Sequence, residues 1–334
     1  MNPAISVLNL TKVYRTYQKE PGFRGALKGL LNRTYKETAA AKDVTLSVAE
    51  GELVGFLGPN GAGKTTVLKM LSGLLYPTHG EARVLGHIPW QRENEFKRKF
   101  ALVLGQKNQL WWDLPAAESL ELNRVIYGLD PTSAQKTIDE LTELLDVRDK
   151  LDVMVRELSL GERMKMELIA ALLHRPKVLF LDEPTIGLDV VSQKKVREFL
   201  REYTARNRIT TLLTSHYMQD IEELCDRVII IDHGQVFFDG ALQDIIDRLA
   251  THKIVTLSRR KGLRETDFAR YGEVLEKSSN EVKLKVPRDR FIAASRDLIA
   301  SLEVDDFTVE DVPIEDIIRE VFLTRQTEVK SRTA

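Results

Sequence analysis

The first 240 residues alternate two hydrophobic periodicities. Short unbroken apolar runs occur at residues 52–57 (ELVGFL), 101–104, 178–183 (VLFLDE) and 210–214. Runs of that length, apolar at odd and even positions alike, read as strands buried on both faces, as in a parallel sheet covered by helices. Elsewhere the period lengthens to that of a helix. Val67, Leu68, Leu71, Leu74 and Leu75 recur at helical spacing over residues 65–75, and residues 117–126, 132–145 and 161–173 carry apolar positions in the same way. The pattern predicts an α/β domain over residues 1–240, with a mostly parallel sheet and a helical subdomain at about 89–174.

Beyond Gly240 the pattern changes. Residues 254–258, 273–276 and 282–286 read as strands, the last setting Val282, Leu284 and Val286 against Lys283 and Lys285. Residues 288–302 read as an amphipathic helix and 304–309 as a further strand. Pro313 suits the first turn of a closing helix that carries Ile314, Ile317, Ile318, Val321 and Phe322 on one face. With residues 263–271 as a first helix, the order β-α-β-β-α-β makes residues 241–334 a small α+β domain of ferredoxin-like type, frayed from Thr327. No catalytic constellation stands out there.

One stretch interrupts the pattern near the start. In an insertion at about 15–38, the stretch 15–36 sets Arg15, Lys19, Arg24, Lys28, Arg33 and Lys36 against a single acid, Glu20, and Phe23, Leu27, Leu30, Leu31 and Tyr35 fall on one helical face. It reads as a basic amphipathic helix, which either packs on its own domain or docks on an anionic membrane or a partner.

Composition narrows the classes. A hydrophobic fraction of 43% supplies a sizeable core, and 334 residues suggest two domains. The formal net charge of −1 gives no basic field for nucleic acid. Cys225 is the only cysteine, so disulfides within the chain are excluded and a reducing cytosol fits. No apolar run approaches the ~18 residues that cross a bilayer, and residues 1–10 lack the pattern of a secretory signal.

The chemistry is concentrated in a few places. Gly58, Pro59, Asn60, Gly61, Ala62, Gly63, Lys64, Thr65 and Thr66 fit G-x-x-x-x-G-K-[ST] between a predicted strand and a predicted helix. Glycines there turn successive backbone N–H groups onto phosphates, and the helix N-terminus adds to the field. Lys64 would reach the β- and γ-phosphates, Thr65 would ligate magnesium, and Thr66 would bond the preceding phosphate. Asp182 and Glu183 end a buried strand, where unpaired carboxylates are costly; Asp182 would hold the metal and Glu183 would activate a water. Ser159-x-x-Glu162 opens a helix as a capping box and also makes an anion site. His216 and Gln106 each follow an apolar strand and mean little singly.

Taken in order, GPNGAGKTT, Gln106, LSLGE at 158–162, VLFLDEP, GLD at 187–189 and TSH at 214–216 resemble the ATPase subunit of an ABC transporter over roughly residues 4–240. The resemblance is to export-type systems whose permease is a separate chain. It implies a P-loop ATPase fold of the ABC type, with an antiparallel β part and a helical subdomain beside the parallel core. It also implies ATP and Mg2+, and a head-to-tail pair of identical or closely related subunits. Each ATP would sit on the P-loop of one copy and under Ser159, Gly161 and Glu162 of the other, with Asp189 at the seam. Tyr14, with Tyr17 the weaker alternative, would stack on adenine. Glu183 would be the base, His216 would position the γ-phosphate and water, and Gln106 would join Thr65 and Asp182 at the metal. The chain would sit on the cytoplasmic face of the membrane through its permease, which a groove near Trp111 and Trp112 would receive; paired tryptophans there are as often core as interface. A soluble ABC ATPase acting on ribosomes or DNA is the other class, and it usually carries two cassettes or a long coiled coil. The family's usual signature is LSGGQ, so Leu160 and Glu162 depart from it, and Glu162 brings negative charge toward a phosphate.

Overall fold

A computed structural model describes residues 3–17, 35–105, 108–249, 251–259, 268–301 and 305–318. The chain divides into two compact units, Met1–Ala241 and Leu242–Ala334.

The first unit is built on a six-stranded sheet of order β5-β6-β7-β3-β8-β9. Its strands are β3 (Leu53–Leu57), β5 (Phe100–Leu104), β6 (Val178–Asp182), β7 (Thr210–Thr214), β8 (Arg227–Asp232) and β9 (Gln235–Ala241). All neighbours pair in parallel except β8 with β9, which form an antiparallel hairpin. Every residue of β6 and β7 is buried, as their unbroken apolar runs require. Register sets the strand ends level, with Leu104 opposite Asp182 and Asp182 opposite Thr214. The acids that follow such strands therefore open onto one shared edge, where parallel α/β sheets place their ligands.

A separate antiparallel sheet has the order β2-β1-β4, from β1 (Ile5–Tyr17), β2 (Tyr35–Val48) and β4 (His79–Val84). Ile5, Leu10 and Val84 from it share one core with Val67, Leu68, Met70 and Leu71 of helix α1 (Lys64–Leu71) and with Phe56 and Phe180 of the main sheet. Helix α1 is shorter than its apolar spacing predicts. Gly73 turns left-handed at φ 72°, and a Cβ there would lie 2.2 Å from the Pro89 carbonyl; Leu74 is left exposed beyond the helix end.

The basic insertion also differs from expectation. Its two ends are strand, not helix: Arg15 pairs with Glu37, Thr16 with Lys36 and Tyr17 with Tyr35 in the β1–β2 ladder. An ion pair of 2.7 Å joins Arg15 to Glu37. Cross-strand pairing thus claims Tyr35, which a helical wheel assigns to the apolar face. The rest of that predicted helix, 18–34, lies outside the described residues.

Between β4 and β6 stand α2 (Asn94–Lys97), α3 (Ala116–Tyr127), α4 (Pro131–Leu145) and α5 (Leu160–Leu172). After β6 come α6 (Val190–Asn207) and α7 (Met218–Leu224).

The second unit opens with α8 (Leu242–Leu249) and holds a four-stranded antiparallel sheet of order β11-β12-β10-β13. The strands are β10 (His252–Ser258), β11 (Glu273–Lys277), β12 (Glu281–Pro287) and β13 (Asp306–Asp311). Val255, Leu257, Val282, Leu284 and Val286 form its core with Ala294 and Leu298 of α9 (Phe291–Ser301). That strand order is the one a ferredoxin-like sandwich has. At the predicted first helix, residues 268–270 form a 3-10 turn and 263–267 lie outside the described residues. Residues 314–318 are helical, and Val321 and Phe322 also lie outside.

Candidate active site

The loop between β3 and α1 is a backbone cradle that tolerates no side chain at two positions. A Cβ on Gly58 would lie 2.3 Å from the Ile231 carbonyl, and one on Gly63, at φ 107°, would lie 2.1 Å from the Ala40 carbonyl. Gly61 has φ 81° with open space around it. Only glycine adopts these conformations without strain. The cradle is braced from outside by Gly234 in the β8–β9 turn, whose N–H donates to the Ala62 carbonyl at 2.9 Å. Lys64 leads α1 and donates from Nζ to the carbonyls of Gly58 (2.6 Å) and Pro59 (3.2 Å). Burial lowers its pKa, while the charges of Glu183 and Asp182 act in the opposite sense. A cation held against that desolvation in a glycine-walled backbone cradle is a site for a polyanion.

Asp182, buried at the end of β6, accepts from two hydroxyls: Thr65 at 2.9 Å and Thr214 at 2.8 Å. Carboxylate and hydroxyl oxygens beside a phosphate cradle suit Mg2+, a hard ion that keeps most of its waters. Glu183 follows in the left-handed region at φ 58°. Its N–H donates to the Thr214 carbonyl at 3.0 Å, and its Oε1 lies 2.7 Å from Nε2 of His216. The turn that aims this carboxylate fits against Gly105, where a Cβ would lie 2.0 Å from the Glu183 carbonyl. Lys64, Thr65, Asp182, Glu183 and His216 thus come together at one sheet edge. Gln106 lies outside the described residues. Tyr14 stands half-exposed on β1 with Lys12 Nζ 5.5 Å from its ring centre.

A second cluster gathers at the start of α5. Ser159 caps it with the predicted box: the Glu162 carboxylate accepts from the Ser159 N–H (2.9 Å) and hydroxyl (2.8 Å). Those two bonds hold the Glu162 carboxyl below the usual range, with Lys150 at 3.5 Å assisting. Gly161 faces α6, for a Cβ on it would lie 2.4 Å from Ser192 Oγ and 3.7 Å from Asp189 Oδ2. Asp189 caps α6, accepting from the Ser192 N–H (2.9 Å) and hydroxyl (2.7 Å). Among the described residues, no hydrogen bond of Ser159, Glu162 or Asp189 reaches residues 58–66.

Sequence reasoning passed over a buried knot behind the site. Asp220 accepts from Thr185, just past β6, from Ser215, just before His216, and from Arg197 at 3.1 Å. It also passed over Ala40 and Gly234, which wall the cradle from other parts of the chain. In the structure His233 and Gly234 both stand at positive φ in the β8–β9 turn.

A phosphate cradle on a parallel sheet, with adjacent acids on the next strand but one, defines a P-loop ATPase cassette. Comparison with known proteins agrees. The family model "ABC transporter" matches residues 41–186, and "EvrA-like ABC transporter, C-terminal domain" matches 251–310. The chain is 36% identical over 212 residues to the ABC transporter ATP-binding protein NatA of Bacillus subtilis, covering 64% of this chain and 86% of that one. It is likewise 36% identical over 217 residues to the Nod factor export ATP-binding protein I of Burkholderia orbicola, covering 65% and 71%. In fold it matches the dimeric post-hydrolysis structure of the ATP-binding cassette MJ0796 bound to ADP and Pi, with TM-score 0.60 and 23% identity over 71% of this chain and 98% of that one. The chain belongs to the ATP-binding subunits of ABC transporters.

Proposed function

We propose that the chain binds ATP with Mg2+ on residues 58–66 and hydrolyses it with Glu183 as general base, to power export through a separate integral-membrane permease. The observation that carries this is the approach of Glu183 Oε1 to His216 Nε2 at 2.7 Å, beside an Asp182 already bonded to Thr65. Thr65 and Asp182 hold the metal, with Gln106 as a further ligand, and bound Mg2+ supplies neutralisation of charge on the β- and γ-phosphates. Lys64 turns from the Gly58 carbonyl to the phosphates, and Thr66 bonds the phosphate before them. Glu183 takes the proton of the attacking water, and His216 holds that water and the γ-phosphate in line. Tyr14 stacks on the base.

Two copies work as a head-to-tail pair, identical or closely related. Ser159, Gly161 and Glu162 of each copy face the nucleotide of the other, and Asp189 lies at the seam. Support comes from their lack of any hydrogen bond to their own phosphate loop among the described residues, and from the dimeric assembly of the MJ0796 cassette. The Ser159 bonds and Lys150 offset the charge that Glu162 brings to that seam. Export follows the Nod factor relative, which carries that word in its name. The pair then sits on the cytoplasmic face of the membrane through its permease.

Kinetics and gel filtration of Glu183→Gln test the reading. ATP binding persists, turnover falls at least ~100-fold, and an ATP-bound dimer accumulates. Lys64→Ala weakens binding itself. Near-normal hydrolysis by Glu183→Gln would overturn the assignment of the base, and recovery of ribosomal or DNA-repair proteins without a permease would overturn the transport role.

A further inference from the structure

Helix α5 carries a carboxylate that neither caps it nor reaches the nucleotide cradle. Glu167 is 3% exposed, in the middle of the helix, among the buried Met166, Leu168 and Ile169. Its Oε1 accepts the backbone N–H groups of Gln109 (2.8 Å) and Leu110 (3.2 Å). Its Oε2 is buried and has no hydrogen-bond partner among the described residues. Burial pushes this carboxyl's pKa up, against the pull of the two N–H groups and Arg163. A buried carboxylate with one oxygen unpartnered carries a desolvation cost, and what offsets it here is its bonds to two backbone amides.

What the carboxylate does is fasten one element to another. Gln109 and Leu110 stand three and four residues after Gln106 in the chain. The next amide, Trp111 N–H, donates to the hydroxyl of Ser119, a fully buried residue of α3, at 3.3 Å. Three successive amides are thus received by side chains of two helices and not by a ladder. Helix α5 is also the helix that Ser159 caps.

We infer that Glu167 is a positioning residue for ATP turnover. It locks the segment leaving Gln106 to the helix that presents Ser159, so that the two nucleotide-facing loops keep one register. The inference rests on the reading that Gln106 and Ser159 both serve ATP.

Steady-state ATPase and thermal melting of the full chain test it. Glu167→Ala lowers kcat about ten-fold or more and leaves KM for ATP within about two-fold, because the Lys64 loop is untouched. Glu167→Gln keeps an oxygen for both amides and recovers kcat to within about three-fold. Glu167→Met fills the volume but leaves both amides without an acceptor, so it melts below the glutamine variant and turns over as slowly as the alanine variant. A methionine variant with unaltered kcat, or a glutamine variant as slow as alanine, would overturn the inference. Absence of ATP turnover from the unaltered chain would instead remove the reading beneath it.

Discussion

At the scale of single residues, the site depends on close backbone approaches as much as on its functional groups. Glu183 adopts φ 58°, which costs a non-glycine residue free energy and persists only where surroundings impose it. The imposing contact is Gly105, whose missing side chain lets the Glu183 carbonyl come within 2.0 Å of where a Cβ would stand. Gly105→Ala should therefore push the Glu183 turn aside and carry its carboxylate away from His216. A misplacement near 1 Å is worth about 100-fold in rate, so kcat should fall by that order while nucleotide binding on Lys64 persists. Equal kcat in the two proteins would show that the contact does not aim the base. The motif residues themselves were legible in sequence because their spacing is fixed by phosphate geometry along a continuous stretch. Gly105, Ala40 and Gly234 were not, since each matters through what another strand brings opposite it, and a linear pattern carries no cross-strand partner.

Elements behind the site are tied by buried polar groups, which predict two separate responses. Arg197 and Asp220 are both almost wholly buried, and their pair joins α6 to α7 while Thr185 and Ser215 bond the same carboxylate. Arg197→Ala strands that carboxylate, and chemical denaturation should register a loss of about 3–5 kcal/mol. A loss under about 1 kcal/mol, typical of an exposed pair, would show the carboxylate finds other compensation. His174, in the turn just after α5, makes a different tie, to β5. Its ring stacks on Tyr127 at 4.0 Å, and Nε2 donates to the Phe100 carbonyl at 3.0 Å. Desolvation lowers its pKa below 6.5, the Phe100 bond partly opposing this. The unfolded chain therefore takes up the proton first, so stability is complete above pH 6.5 and declines as pH falls toward the folded value. A His174→Gln protein should lose less melting temperature than the unaltered chain over that interval, and parallel curves would contradict it. Helices α3, α4 and α5 were legible from apolar spacing. Spacing misjudged the end of α1 and both ends of the basic insertion, where a left-handed glycine in one case and a strand ladder in the other override a helical face.

For the whole molecule, the question is where a permease would grip. Among the described residues no helix is long and apolar enough to cross a membrane, and we assign the proposed coupling to a surface of the cassette. The pair Trp111 and Trp112, equally readable in sequence as core or interface, is 59% and 44% exposed. It is nevertheless held in place. The Leu114 N–H donates to the Trp111 carbonyl (3.2 Å), the Arg156 N–H donates to the Trp112 carbonyl (3.1 Å), and the Arg163 guanidinium lies 5.3 Å from the Trp112 ring centre. Large aromatic side chains presented on a fixed backbone lose little entropy when covered, and such residues dominate binding at protein interfaces. Neither ring contributes to the phosphate cradle or to the Glu183–His216 pair. Replacing both by alanine should thus leave the ATPase rate of the purified chain within about two-fold while removing most of its binding to the permease, since truncating an interface anchor costs ~2 kcal/mol or more. The measurement is affinity capture of the tagged chain from gently solubilised membranes, with the co-purifying multi-span protein quantified for both forms. Undiminished capture by the double variant would place the permease contact elsewhere on the cassette, and loss of ATPase activity in the isolated chain would mean that the tryptophans brace the nucleotide site.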